Sequence, residues 1–193
     1  MAPTQAKLLD ISVELFSREG FSGVSMRDIA RTAGITQAAI YHHFDNKEAL
    51  YLAALQHVYG GLAMELVSEG KRNPDVHSRL KTTVKTLMTV FDDDARFRRL
   101  YLRELLESDQ RRLQLLAEGV FGELHQYLLE LMRELSPQGD AHLLVLDLAG
   151  IIMHHLEARE LSALLKSGKP RHRQLHYLAD HIASLFIQGA HVS

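Results

Sequence analysis

The 193-residue chain has no cysteine. That excludes a disulfide framework and the cysteine-ligated zinc routes to nucleic acid. No apolar run approaches the ~18 residues of a membrane-spanning helix. The N-terminus lacks a basic stretch followed by an apolar core, so no secretion signal is read there and a cytoplasmic location is expected. No segment alternates apolar and polar residues in the manner of a strand, and neither internal repeats nor low-complexity tracts occur. A nucleophile elbow, a phosphate-binding glycine loop and a metal-ligand cluster are all missing, as is any Glu-x-x-His pair. An enzyme is therefore not expected, and neither is a cofactor or a bound metal. A strong charge of one sign is lacking too: the net charge is −2, and residues 1–50 carry five Lys and Arg against six Asp and Glu. Any partner must be met by local placement of groups, because the bulk charge attracts no polyanion.

What is present is helical periodicity. Hydrophobic residues make up 46% and charged residues 24%, the ordinary composition of a soluble globular protein of one or two domains. About nine helices are predicted from apolar spacing and breakers: from about Thr4 to Glu19, Met26 to Ala33, Gln37 to His43, Asn46 to Glu69, Pro74 to Phe91 with Asn73 as its cap, Asp92 to Glu107, Asp109 to Leu135, Asp140 to Ser167 and Arg171 to Gln188. The fold class is all-α: an N-terminal three-helix domain over residues 1–46, then a helical bundle over 47–193.

The densest local signals lie between Ser25 and Phe44. Ser25 and Asp28 have capping-box spacing. Gly34 stands where a helix C-terminus wants a left-handed residue, and Thr36 is a good cap for the next helix. Ile35 and Ile40 have staple spacing, and Asp45 with Glu48 repeats the capping-box pattern. Two short helices joined by a tight turn make a helix-turn-helix, whose second helix is shaped for the DNA major groove. Ile40 and Phe44 point inward, with His43 close to that face. Gln37, Ala38, Tyr41 and His42 fall on the opposite face. An amide there can pair with an adenine edge, a methyl can lie on thymine, and Tyr41 and His42 can reach phosphates. Lys47 adds a charge near the DNA backbone.

The segment from about Ile11 to Leu50 resembles the DNA-binding domain of the TetR/AcrR family of bacterial transcriptional regulators. The matching residues are Phe16 with Gly20-Phe21, Val24-Ser25-Met26-Arg27-Asp28-Ile29-Ala30, Ala33-Gly34-Ile35, Ile40-Tyr41-His42-His43-Phe44 and Lys47-Glu48-Ala49-Leu50. The resemblance implies that Ser25, Tyr41, His42 and Lys47 touch phosphates. It implies that Arg27, Thr36, Gln37 and Ala38 lie nearest the bases, and that Ile29, Ile40 and Phe44 are core. Many relatives carry a second tyrosine where this chain has His42.

Beyond Lys47 the reading rests on stripes. Leu175, Leu178, Ile182 and Leu185 follow heptad-like spacing, and Met153 and Leu156 end a similar stripe with Leu143, Leu146 and Gly150 on the preceding helix. These are the expected homodimer interface, two helices from each subunit. Met88, Phe91, Phe97, Tyr101, Leu105, Phe121 and His125 are the expected lining of a small-molecule pocket, though a dry core fits the same residues equally well. Arg96, Arg98, Arg99, Arg103, Arg111 and Arg112 read as a solvated face, with Arg103 and Glu107 spaced to pair. His154-His155 and the His172, His176 pair read as surface or interface histidines. The function expected is a ligand-responsive regulator, a repressor that binds a palindromic operator on double-stranded DNA as a homodimer and is released by a small-molecule effector. The alternative is an activator, or a helical protein-interaction adaptor without effector.

Overall fold

The computed structural model describes residues 5–189, except for the side chains of Ala63, Lys71 and Phe97. The described residues form eleven α-helices: α1 (Gln5–Gly23), α2 (Met26–Ala33), α3 (Gln37–Tyr41), α4 (Lys47–Arg72), α5 (Val76–Asp93), α6 (Ala95–Glu107), α7 (Gln110–Gly119), α8 (Gly122–Leu135), α9 (Ala141–Glu157), α10 (Arg159–Leu164) and α11 (Leu175–Gly189), with a 3-10 turn at Pro170–Arg173 before the last. The all-α class is as the periodicity requires. The expected start of the first helix at Thr4 lies outside the described residues.

Two more α-helices appear than the nine expected, for local reasons. The stretch read as one helix from Asp109 to Leu135 breaks between Gly119 and Gly122, where the Val120 and Phe121 amides both donate to the Leu116 carbonyl. The stretch from Asp140 ends its first helix at Glu157. Arg159 then turns to make a two-pronged bond to Asp92, at 2.8 and 3.0 Å. Two caps also differ from expectation. Asp75, not Asn73, caps α5 by accepting from the Ser78 amide at 2.8 Å, while Asn73 supports it by accepting from the Asp75 amide at 3.1 Å. Asn46, not Asp45, caps α4, accepting from the Ala49 amide at 2.8 Å.

The chain gathers into two compact units. One comprises the residues up to Leu62 together with Ala95–Gly122, and the other Ala63–Asp94 together with Glu123 onward. In the first, α1 packs on α2 and α6, and α2 packs on α3. Leu8, Val13, Phe16, Ile29, Ile40, Leu50 and Tyr51 are its buried centre, and the Tyr51 ring meets Phe16 edge-on at 4.8 Å. Gly20 breaks the helical run of α1 at φ 76°. A side chain there would be strained by that φ and would also meet Glu107 Oε1 at 2.9 Å.

In the second unit, α11 packs on α5 and α9, and α5 packs on α9. Leu80, Val84 and Met88 of α5, Leu148 and Ile152 of α9, and Leu178, Ile182 and Phe186 of α11 are buried there. Arg79 pairs with Glu134, and Thr83 and Tyr127 share a hydrogen bond at 3.0 Å. No described helix is long and apolar enough to cross a membrane.

Candidate nucleic-acid interface

The α2–turn–α3 segment is built from side chains that satisfy the free backbone groups at each helix end. At Ser25 the capping box is complete: the Asp28 amide donates to Ser25 Oγ at 3.1 Å, and the Ser25 amide donates to Asp28 Oδ2 at 3.2 Å. Those hydrogen bonds from Ser25 are the main cause that lowers the Asp28 pKa, ahead of the nearby Arg31. The other end of α2 closes with Gly34 at φ 69°. The Gly34 amide donates to Arg31 O and the Ile35 amide to Ala30 O, the paired bonds of a Schellman turn. Thr36 Oγ1 then accepts from the Ala39 amide at 3.2 Å and starts α3.

Burial decides which way α3 faces. Ile29 and Ile40 are 0% exposed, and each such side chain contributes ~1.5–3 kcal/mol relative to an exposed one. With Ile40 inward, Gln37, Ala38, Tyr41 and His42 are turned outward, and all four are exposed, Tyr41 at 47%. Ser25, Arg27 and Thr36 are exposed on the same segment. Seven of the eight predicted DNA-facing residues therefore share one accessible stretch of chain. His43 differs from expectation, being exposed with its ring 5.4 Å from that of His42.

Lys47 is the eighth residue, and it is committed elsewhere. Its ammonium donates to the carbonyls of Phe21 at 2.8 Å and Val24 at 2.9 Å, and sits 4.3 Å from the Phe21 ring centroid. Burial lowers its pKa, helped by Arg112 and opposed by Glu107. Here Lys47 ties the α1–α2 link to the start of α4. Sequence spacing cannot see this, because the partners lie 23 and 26 residues away.

The predicted pocket residues divide between the two units. Tyr101 and Phe121 meet edge-on at 6.0 Å in the first, with Tyr59 5.0 Å from Phe121. Burial raises the Tyr101 pKa. Leu105 is half exposed on the same unit. Met88 is fully buried in the second unit, where Phe91 and His125 are half-buried. The Phe97 side chain lies outside the described residues. Two clefts of about 430 and 420 Å³ are lined by other residues, the first by Leu135, Leu143, Leu144 and Phe186, the second by Leu52, Gln56 and Leu115.

Of the predicted interface residues, Met153, Leu156, Leu178 and Ile182 are buried inside their own protomer. Leu175 is half-buried, and Leu185 is 45% exposed. The expected stripes mixed two faces, because a seven-residue repeat drifts ~20° per heptad around a straight helix. The outward face of α9 carries Leu143, Leu146 and Gly150, with both leucines at least half exposed.

Histidines border that face. The His155 ring lies 6.1 Å from His154 and 6.1 Å from His181. Burial is the first cause that lowers the His155 pKa, and the two neighbouring rings add to it. His125 is lowered likewise, by burial and then by His142. A lowered folded-state value means the unfolded chain binds the proton first. The stability present above the unfolded-state value of 6.5 is therefore lost as pH falls from there through the lowered value. Thermal melts at pH 7.5 and pH 5.5 are expected to show a lower Tm at the acid pH. The drop should be smaller in His155→Gln; an equal drop in the variant would remove the role of His155.

A capped pair of helices with one face locked into a core and the other free has the geometry of a helix-turn-helix. Residues 8–54 match the family profile of the bacterial regulatory proteins, tetR family. Over that segment the chain is similar to the DNA-binding transcriptional regulators of the TetR family. It is 28% identical over 127 residues to the biofilm operon icaADBC HTH-type negative transcriptional regulator IcaR of Staphylococcus epidermidis, a match covering 63% of this chain and 67% of that protein. With the protein of the same description from Staphylococcus aureus strain Newman it shares 26% over 98 residues, and there it spans about half of either chain, 50% and 51%. Among solved structures, the fatty acid degradation regulator FadR from Bacillus halodurans superposes with a TM-score of 0.77 at 20% identity, over 94% of this chain and 97% of that one. FadR from Bacillus subtilis, in complex with stearoyl-CoA, gives 0.78 at 18% identity, again over 94% and 97%. At those identities the likeness is one of fold.

Proposed function

We propose that the chain is a ligand-responsive repressor, which binds a palindromic operator as a homodimer in the cytoplasm and is released by a small-molecule effector. The observation that carries this reading is the outward face of α3, where Gln37, Ala38, Tyr41 and His42 stand exposed while Ile40 is fully buried. In a two-fold dimer the two recognition helices must stand roughly 34–36 Å apart, one turn of DNA. Gln37 and Ala38 then lie at the base edges, and Tyr41 and His42 at the phosphates. The dimer contact proposed is the outward face of α9 and α11, with Leu143, Leu146, Gly150 and Leu185, in place of the inward stripe that the sequence suggested.

The repressor reading is supported by the two staphylococcal relatives, both described as negative regulators. The stearoyl-CoA in the B. subtilis FadR supports an apolar effector. Such an effector lowers operator affinity only if it binds the DNA-incompetent state better than the competent one. The test is a gel shift with DNA from upstream of the protein's own gene, in excess unrelated duplex. A discrete retarded complex that dissolves on adding a fatty-acyl compound is expected. A folded protein that shifts the upstream DNA no better than the unrelated duplex contradicts the proposal.

A further inference from the structure

Of the arginines between 96 and 112, read from sequence as a solvated face, Arg112 is buried at 6% exposure. Its guanidinium spans three acids. Nε donates to Glu104 Oε2 at 3.2 Å, Nη2 to Glu107 Oε2 at 2.7 Å, and Nη1 lies 3.4 Å from Asp109 Oδ2. Glu104, itself 4% exposed, accepts the Tyr51 hydroxyl at 2.6 Å on its other oxygen. The expected Arg103–Glu107 pair is replaced: Glu107 turns to Arg112, and Arg103 donates to the Arg18 carbonyl at 2.6 Å.

The cluster ends on the link between α1 and α2. The Arg112 guanidinium carbon is 4.6 Å from the Phe21 ring centroid, the same ring that holds the Lys47 ammonium at 4.3 Å. Lys47 grips the Phe21 and Val24 carbonyls, and Ser25, the cap of α2, is the next residue. Arg103 of α6 thus holds the backbone before the Gly20 kink, at Arg18, while after it Lys47 of α4 holds the Phe21 carbonyl and Arg112 of α7 packs on the Phe21 ring. That kink and link set the direction in which α2 and α3 leave α1.

We propose that Arg112 is a positioning residue for operator reading: through the Phe21 ring, which it shares with Lys47, it fixes the angle of the helix-turn-helix. This rests on the DNA-binding reading above. A buried ion cluster is weak support for stability, since apolar replacements of similar volume often hold a fold as well. A role in geometry and a role in stability are therefore separable by experiment.

The variant Glu104→Gln/Arg112→Met removes both buried charges together, so neither is left unpaired, and the new side-chain amide can still accept the Tyr51 hydroxyl through its oxygen. Its Tm is expected to stay near that of the wild type. Its operator affinity should fall at least tenfold, while its affinity for unrelated duplex at the same salt stays within twofold. Phe21→Leu, which keeps the ion cluster and removes the ring, is expected to show the same selective loss, and Phe21→Tyr is expected to restore binding. These two variants decide the matter if the double variant does not fold. A folded Glu104→Gln/Arg112→Met or Phe21→Leu protein that binds operator as tightly as the wild type overturns the role of Arg112. A wild-type protein with no sequence preference overturns the DNA-binding reading itself.

Discussion

Replacing Tyr41 with alanine removes operator binding and leaves the fold intact. The side chain is 47% exposed and takes part in none of the caps that hold α3. Its loss costs the folded protein within ~0.5 kcal/mol, as for surface positions in general. On DNA, a hydroxyl bonded to a charged phosphate contributes roughly 1.5–3 kcal/mol. A dimer loses two of them, which lowers operator affinity by about two to four powers of ten. Titration of a labelled operator, read by anisotropy beside a thermal melt, checks both halves. Lys47→Ala behaves differently. It loses two internal hydrogen bonds and a cation–π contact, so the Tm falls together with the affinity, by roughly 2–4 °C for each kcal/mol lost in a chain of this size. A Tyr41→Ala protein that unfolds, or that binds as well as the wild type, would show that the outward face of α3 has been misassigned.

Leu146→Glu is the second large effect. Leu146 is 50% exposed in the protomer, so a carboxylate there stays solvated in the single subunit. In the proposed two-fold interface the same carboxylate would be buried near its symmetry mate. Removing two charges from water without partners costs several kcal/mol each. Sedimentation is expected to show a monomer with unchanged helical content. Operator binding, robbed of its second half-site, is expected to fall from the ~10⁻⁸–10⁻¹¹ M of specific complexes towards the ~10⁻⁴–10⁻⁶ M of non-specific ones. Ile182→Glu serves as the contrast. Ile182 is 0% exposed, and a buried charge there unfolds the protomer. If Ile182→Glu folded as a monomer and Leu146→Glu stayed dimeric, the inward stripe would be the interface after all.

The contrast between those leucine and isoleucine positions marks where the sequence was legible and where it was not. The helix-turn-helix could be read because its determinants are local. Ser25 meets Asp28 three residues on, Thr36 meets Ala39 three residues on, and Gly34 needs only its own backbone. On α9 and α11 an apolar residue follows on almost every face, so periodicity alone does not say which stripe faces the protomer's own core. A strict heptad count starts on one face and ends on another. The break between Gly119 and Gly122 falls inside a stretch whose apolar spacing runs on across it, so spacing alone reads one helix there. Lys47 and Arg112 were invisible for another reason. A long cationic side chain near a surface segment normally points to solvent. Only the fold brings the Phe21 ring, far away in the chain, within reach of both cations, and sets Glu104 beside both Arg112 and Tyr51.

The central claim is that two copies of the α3 face read DNA together. Selection of bound duplexes from a random pool tests it most directly. The account predicts enrichment of an inverted repeat whose half-sites are centred about one helical turn, ~10 base pairs, or a multiple of it apart, and its loss with Gln37→Ala or Leu146→Glu. A folded protein that enriches no sequence, or that enriches a single asymmetric site unaffected by Leu146→Glu, would contradict it.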